Sequence, residues 1–106
     1  MSDTLKRVQS LVRVGDYRVS DHAGRRLLTA GVQKEEAIAG LGEAEVVEDY
    51  PDFPKGPCVL VLQHDDDRVP YHVIWGTPMQ YERPAVLITA YRPDPQRWSE
   101  DFRRRL

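Results

Sequence analysis

The fold of this chain is decided by residues 58–75, which read CVLVLQHDDDRVPYHVIW. The first five residues are all apolar, a pattern typical of a strand in the centre of a sheet. Residues 65–68 are polar and favour a turn, and residues 69–75 then alternate in polarity. Two strands separated by so short a turn predict an antiparallel β-hairpin.

The sequence predicts one further strand before this hairpin and one after it. Residues 45–49 carry two adjacent valines, and residues 85–91 form an apolar stretch that ends before two prolines. Prolines and a glycine between residues 51 and 57 favour a rigid connection into the hairpin. We therefore expect an antiparallel meander of four strands, at residues 45–49, 58–64, 69–75 and 85–91.

The N-terminal half of the chain has helical periodicity instead. Apolar residues recur at helical spacing near residues 3–13, 21–30 and 34–41. Ser20 can cap the second helix, and Gly31 can end it. Because the helices come first and the strands follow, we predict an α+β fold, with N-terminal helices packed on one face of the antiparallel sheet.

The length of 106 residues predicts a single domain, residues 1–106, with one core. Its one cysteine, Cys58, cannot form an intramolecular disulfide and lies in the apolar run. That run is about five residues long, far below the roughly 20 needed to span a bilayer, so no membrane partner is expected. Because nothing resembles a signal peptide, we expect a cytoplasmic protein.

The charges are distributed unevenly along the chain. Residues 1–31 hold six basic and three acidic side chains, residues 32–70 hold three and ten, and residues 71–106 hold six and four. The net charge of −2 gives no general attraction to nucleic acid. If the two ends meet in the fold, they form a weakly basic face opposite an acidic one.

His22 is the most informative polar residue. It should lie in the first turn of the second helix, where the helix dipole and free N–H groups favour an anion. Arg25 and Arg26 follow at i+3 and i+4, so at least one shares its face of the helix. This combination suits phosphate binding. The alternative is a histidine bonded to local backbone, with both arginines solvated or paired with Asp21.

Three more candidates lie in the predicted strands. Thr89 and Tyr91 share one face of the fourth strand, because side chains alternate along a strand. His72, in the third strand, joins that face only if paired residues of the two strands have an odd index sum, and the sequence does not decide this. His72 and Tyr91 also have structural interpretations, as a half-buried histidine bonded to a neighbour and as a residue at the edge of the core.

The sequence predicts neither a metal site nor a cofactor site. His22, His64, His72 and Cys58 lack the short spacings of metal ligands. The three aspartates at 65–67 lack the glycine and the distal glutamate of a calcium loop. The chain also has no glycine-rich phosphate loop and no nucleophile elbow.

Five segments together resemble a widespread family of bacterial domains of unknown function. YRVSDHA at residues 17–23, followed by Arg26, is similar to the family's S-x-HA-x-x-R opening, and RVPYHV at residues 68–73 is similar to its GRPLHVV stretch. The resemblance spans about residues 17–105. The remaining similar segments are VEDYP at 47–51, TAYRPD at 89–94 and RWSEDFRR at 97–104.

This resemblance implies a small domain of the kind grouped with RelE/ParE-like toxins and with barnase- and colicin-type ribonucleases, which act without a metal. The family often carries an arginine near the end of the second helix, where this chain has Ala30. The acidic middle of the chain also suits a nucleic-acid enzyme poorly. The family's polar positions fall on His22, Arg26, His72, Thr89 and Tyr91.

We therefore predict a toxin-like, metal-independent endoribonuclease, weak or inactive if the arginine missing at Ala30 normally binds phosphate. Such cleavage needs a base for the 2′-hydroxyl, an acid for the leaving oxygen and a cation for the phosphate. We assign His22 as the base, Arg26 as the cation, and His72 or Tyr91 as the acid.

Arg25 and Thr89 complete the predicted site as substrate-binding residues, with RNA as the expected partner. An alternative function for the same polar residues is a non-catalytic protein- or ligand-binding module. The expected protein partners are an antitoxin-like protein or a second copy of the chain, joined through an exposed sheet edge.

Overall fold

A computed structural model describes residues 2–106. The three predicted helices and the four predicted strands are all present, within one residue of the expected bounds. A short 3-10 turn at Leu41–Glu43 follows the third helix. In chain order the elements are α1 (Asp3–Arg13), β1 (Tyr17–Val19), α2 (Asp21–Ala30), α3 (Lys34–Gly40), β2 (Glu45–Tyr50), β3 (Cys58–His64), β4 (Pro70–Gly76) and β5 (Ala85–Tyr91).

Helix α2 begins and ends at the predicted residues. The Ser20 hydroxyl accepts a hydrogen bond from the Ala23 N–H at 3.0 Å, which satisfies one of the free donors of the first turn. Gly31 ends the helix with φ of +74°, a left-handed conformation that glycine adopts without a steric cost. These local interactions fix where His22 lies on the helix.

The sheet has five strands in the order β1-β5-β4-β3-β2. Strands β2 to β5 form the predicted antiparallel meander, whereas β1 pairs with β5 in parallel. The prediction of a purely antiparallel, four-stranded sheet was therefore wrong in strand number and in this pairing. Strand β1 has only three residues, too few to show a two-residue period, and its extended conformation depends on β5, which is distant in sequence.

All three helices pack on one face of the sheet. Leu27 and Leu87 are buried in this layer, and Ile38 packs partly buried against it. Leu60 is also buried, but it lies on the opposite face of the sheet, because it alternates with core residues along β3. The core includes Val8 of α1, Leu27 of α2, Ala37 of α3, and Val61, Val73 and Leu87 of the sheet.

Residues 97–106 form a small hairpin, here called the C-terminal hairpin. Trp98 and Arg105 form an antiparallel bridge, and the Leu106 N–H donates to the Arg97 carbonyl at 3.0 Å. The Trp98 side chain is buried, as expected for a large aromatic residue that packs on the sheet.

Two ion pairs attach the C-terminal hairpin to the edge strand β2. Arg103 pairs with Glu45 at 2.6 Å, and Arg105 makes two bonds to the Glu48 carboxylate, at 2.8 and 3.0 Å. The Arg105 guanidinium also lies over the Trp98 ring, 4.7 Å from its centroid. The hydrogen bonds from Arg105 lower the pKa of Glu48, which favours the charged carboxylate that this pairing needs.

None of the helices formed by residues 2–106 has the length and apolar character required to cross a membrane.

Candidate functional site

The register of β4 and β5 brings three predicted site residues to one face of the sheet. His72 pairs with Tyr91, and Ile74 pairs with Thr89, so the index sum at this end of the strands is odd. His72, Thr89 and Tyr91 therefore share a face. It is the face opposite the helices, because Val73 and Ala90, which pair with each other between them, belong to the helix-side core.

His22 reaches the same strand from the start of α2. Its Nε2 lies 3.1 Å from the Thr89 hydroxyl oxygen, and its ring is exposed. The backbone ahead of α2 is attached to β5: the Ser20 N–H donates to the Leu87 carbonyl at 3.2 Å, and the Ser20 hydroxyl donates to the Ile88 carbonyl at 3.3 Å. Strand β1, which the sequence analysis missed, therefore positions His22.

His72 lies behind Tyr91 and is fully buried. Its Nδ1 is 3.2 Å from the Tyr91 hydroxyl, and its Nε2 is 2.8 Å from the Phe102 carbonyl oxygen. The Trp98 and Tyr91 rings meet it edge-on, at centroid distances of 4.5 and 5.3 Å. Burial lowers the pKa of His72, which favours the neutral ring. Because both nitrogens are bonded within the protein, His72 can act on a ligand only through Tyr91.

Arg26 and Tyr91 line one cleft of about 240 Å³. Ala30, at the position where the resembled family often carries an arginine, lines the same cleft. Arg92 lies there too, but its guanidinium already bonds the Ala30 carbonyl at 3.0 Å and the Asp65 carboxylate at 2.8 Å. The complete lining is Arg26, Thr29, Ala30, Ala90, Tyr91 and Arg92.

Arg25 is separated from this group. It lines a larger cleft of about 520 Å³ between α2 and α3, together with Leu28, which is 81% exposed. Of the six predicted site residues, the structure therefore gathers five around the end of β5 and leaves Arg25 on a different surface.

Two groups at the site were not predicted from the sequence. Arg92 lies within the TAYRPD segment, so its place in a motif was the one available signal. The Phe102 carbonyl has no side-chain signal, because a backbone group reaches His72 only through the path of the C-terminal hairpin.

Among residues 2–106, no three His, Cys, Asp or Glu side chains are arranged to hold a metal ion. The side chains around the end of β5, among them His22, Tyr91 and Arg26, can supply hydrogen bonds, proton transfer and positive charge.

Residues 19–92 match the family described as a domain of unknown function, DUF4258. Neither the curated proteins nor the solved structures gave a match. The matched segment covers more than two thirds of the chain and contains all six predicted site residues, whereas the C-terminal hairpin lies outside it. The chain therefore belongs to the DUF4258 family.

Proposed function

We propose that this protein is a toxin-like endoribonuclease that cleaves RNA without a metal ion. The observation that supports this proposal is the convergence of exposed His22, half-buried Tyr91 and Arg26 around the end of β5. These are a titratable ring, a hydroxyl and a cation, the three kinds of group that metal-independent RNA cleavage requires.

The reaction is an attack of the ribose 2′-oxygen on the adjacent phosphorus, with loss of the 5′-oxygen of the next nucleotide. One group must remove the 2′-proton, and another must protonate the leaving oxygen. Thr89, which contacts His22, lies two residues before Tyr91 on one face of β5. Their Cα atoms are therefore roughly 7 Å apart. A phosphate bound there would lie between the His22 ring and the Tyr91 hydroxyl, and these two groups would act as the acid–base pair.

Arg26 would stabilise the charge that develops on the phosphate. Its guanidinium makes no ion pair with any other side chain of residues 2–106, whereas Arg92 on the same cleft is paired with Asp65. With Ala30 in place of a further arginine, a single free cation serves the cleft, so we expect slow cleavage.

The test is cleavage of a panel of single-stranded RNAs in EDTA. We expect fragments with 2′,3′-cyclic phosphate and 5′-hydroxyl ends. Loss of an acid or base group typically costs roughly 10²- to 10⁴-fold in rate, and loss of a group that stabilises the developing charge roughly 10²- to 10³-fold. His22→Ala and Arg26→Ala should therefore each reduce cleavage to near background. The matched controls are His64→Ala and Arg13→Ala, which remove an exposed histidine at the end of β3 and an exposed arginine at the end of α1.

A non-catalytic binding module is the second candidate, and the cleft between α2 and α3 favours it. This cleft is about twice as large as the one at Tyr91, and it combines apolar with charged side chains, among them Leu28 and Lys34. If RNA stays intact in EDTA and in magnesium alike, this function becomes the better one. The expected antitoxin-like partner or second copy would then be sought by chromatography with light scattering.

A further inference from the structure

The buried ring of His72 joins the C-terminal hairpin to Tyr91. Its two nitrogens have different partners, the Phe102 carbonyl at Nε2 (2.8 Å) and the Tyr91 hydroxyl at Nδ1 (3.2 Å). A carbonyl oxygen can only accept a hydrogen bond, so Nε2 must carry a proton. Because burial lowers the pKa of His72, the ring near neutral pH is uncharged and has only that one N–H.

It follows that the proton between His72 and Tyr91 belongs to the tyrosine. Nδ1 has a lone pair, and the Tyr91 O–H donates to it. With its proton directed inward, the Tyr91 oxygen has lone pairs free to accept a proton. A hydroxyl in this state accepts a proton from a ligand more readily than it gives one.

The Phe102 carbonyl is held in place by the shape of the hairpin. Phe102 has φ of +61°, a left-handed conformation that residues other than glycine rarely adopt. Its N–H donates to the Ser99 carbonyl at 2.8 Å, and the Asp101 carboxylate accepts the Arg103 N–H at 3.1 Å. The turn is therefore bonded on both sides of the residue whose carbonyl reaches His72.

We propose that the C-terminal hairpin is a positioning element. Through the Phe102 carbonyl it fixes His72 as the Nε2–H tautomer, and it thereby makes Tyr91 the proton acceptor of the site. Phe102 is a positioning residue in this scheme, because it acts through His72 and touches no ligand.

The consequence for the reaction rests on the proposed function. The 2′-O–H bond breaks and its proton passes to the Tyr91 oxygen, while the original Tyr91 proton passes to Nδ1 of His72. The 2′-oxygen bonds to phosphorus, the bond from phosphorus to the 5′-oxygen breaks, and protonated His22 gives its proton to that leaving oxygen. His22 is then the acid, opposite to the role expected from the sequence, and solvent resets both rings.

The tautomer can be measured without RNA, by long-range ¹H–¹⁵N correlation on the ring nitrogens of the full chain. The three histidine signals are assigned with single His22→Gln and His64→Gln variants. We expect His72 to be neutral with its proton on Nε2 at pH 7. A neutral ring with its proton on Nδ1, or a charged ring, would overturn the proposal.

Two substitutions at one position test the hairpin itself. Phe102→Gly and Phe102→Pro both remove the phenyl ring. Only proline, whose φ is fixed near −65° and which has no N–H to donate to the Ser99 carbonyl, forbids the left-handed conformation and the bonded turn. We expect the glycine variant to keep the Nε2–H tautomer and the proline variant to give a mixture. If proline leaves His72 unchanged, the carbonyl does not set the tautomer. Tyr91→Phe should also keep it, and a switch to Nδ1–H there would assign the control to Tyr91 instead.

The reaction step is tested separately, by kinetics on RNA. If RNA is cleaved, kcat of Phe102→Pro should fall at least tenfold below that of Phe102→Gly, with the same KM. Equal kcat in the two variants would overturn the positioning role. RNA left intact by a protein with the expected tautomer would remove the proposed function while leaving the tautomer assignment standing.

Discussion

We expect this protein to lose stability in mild acid, and we expect replacement of His72 by glutamine to remove most of that loss. His72 is fully buried, and burial lowers its pKa below the ordinary value of 6.5, with the Phe102 carbonyl and Glu48 opposing that shift. The unfolded chain therefore binds a proton at this histidine more readily than the folded protein does. The stability that the neutral His72 ring contributes is complete above about pH 6.5, and it is lost as the pH falls below that value.

One proton sets the magnitude. Between the pKa of the unfolded chain and the lower pKa of the folded protein, the free energy of unfolding falls by up to about 1.4 kcal/mol per pH unit. For a domain of this size that corresponds to a fall in Tm of roughly 4–8 °C per kcal/mol. The useful window lies above about pH 5, because hydrogen bonds from Arg105 hold the pKa of Glu48 below its ordinary value of 4.5.

The assay is urea unfolding at pH 7.5, 6.5 and 5.5. Wild-type protein and the control His64→Gln, which replaces an exposed histidine at the end of β3, should lose stability together between pH 6.5 and 5.5. His72→Gln should start less stable and stay level, because glutamine binds no proton in this range. Two results would contradict this prediction. The free energy of unfolding of His72→Gln could fall with pH as steeply as that of the wild type, or that of the wild type could stay constant. In either case protonation of His72 does not govern the loss of stability in acid.

Two further predictions concern the helix-side core, both measured by urea unfolding. Gln63→Leu should cost about 2–5 kcal/mol, because the buried Gln63 amide accepts the Trp75 N–H at 3.1 Å and donates to two further oxygens that would lose their partner. The double variant Gln63→Leu/Trp75→Phe should lose less stability than the sum of the losses in the two single variants. Strictly additive losses would contradict the coupling between Gln63 and Trp75. Leu27→Ala should cost about 2–5 kcal/mol, whereas Leu28→Ala, at an 81% exposed position, should stay within about 0.5 kcal/mol. Equal losses at the two leucines would contradict the packing of α2.

The elements that the sequence predicts well are those that local interactions define. Helix α2 has its cap at Ser20 and its left-handed end at Gly31, and both can be inferred from residue type and spacing. Strand β1 has no such signal, because its three residues are extended only where β5 pairs with them. Since β1 positions His22 beside Thr89, the contact between those two side chains could not be predicted from the sequence either.

The register of β4 and β5 shows a second limit of prediction from sequence. His72 pairs with Tyr91 at an odd index sum, but a bulge shifts the register, and Trp75 pairs with Leu87 at an even one. The extra residue is Ile88, which lies between the two parts of the ladder. No single parity therefore describes this strand pair. A register inferred from the residues next to the loop between β4 and β5 would have assigned His72 to the wrong face.

The acidic middle of the chain is less of an obstacle to an anionic ligand than its charge of −7 implies. Several of its carboxylates are neutralised by basic residues from the C-terminal segment: Glu45 by Arg103, Glu48 by Arg105 and Asp65 by Arg92. By contrast, none of the ion pairs within residues 2–106 involves Arg18 of β1, or Arg25 and Arg26 of α2. Of these three exposed residues, Arg26 lies at the cleft of Tyr91. The fold thus uses its C-terminal positive charge internally and leaves the positive charge of β1 and α2 facing solvent, so any attraction of phosphate acts beside His22 and weakens steeply with salt.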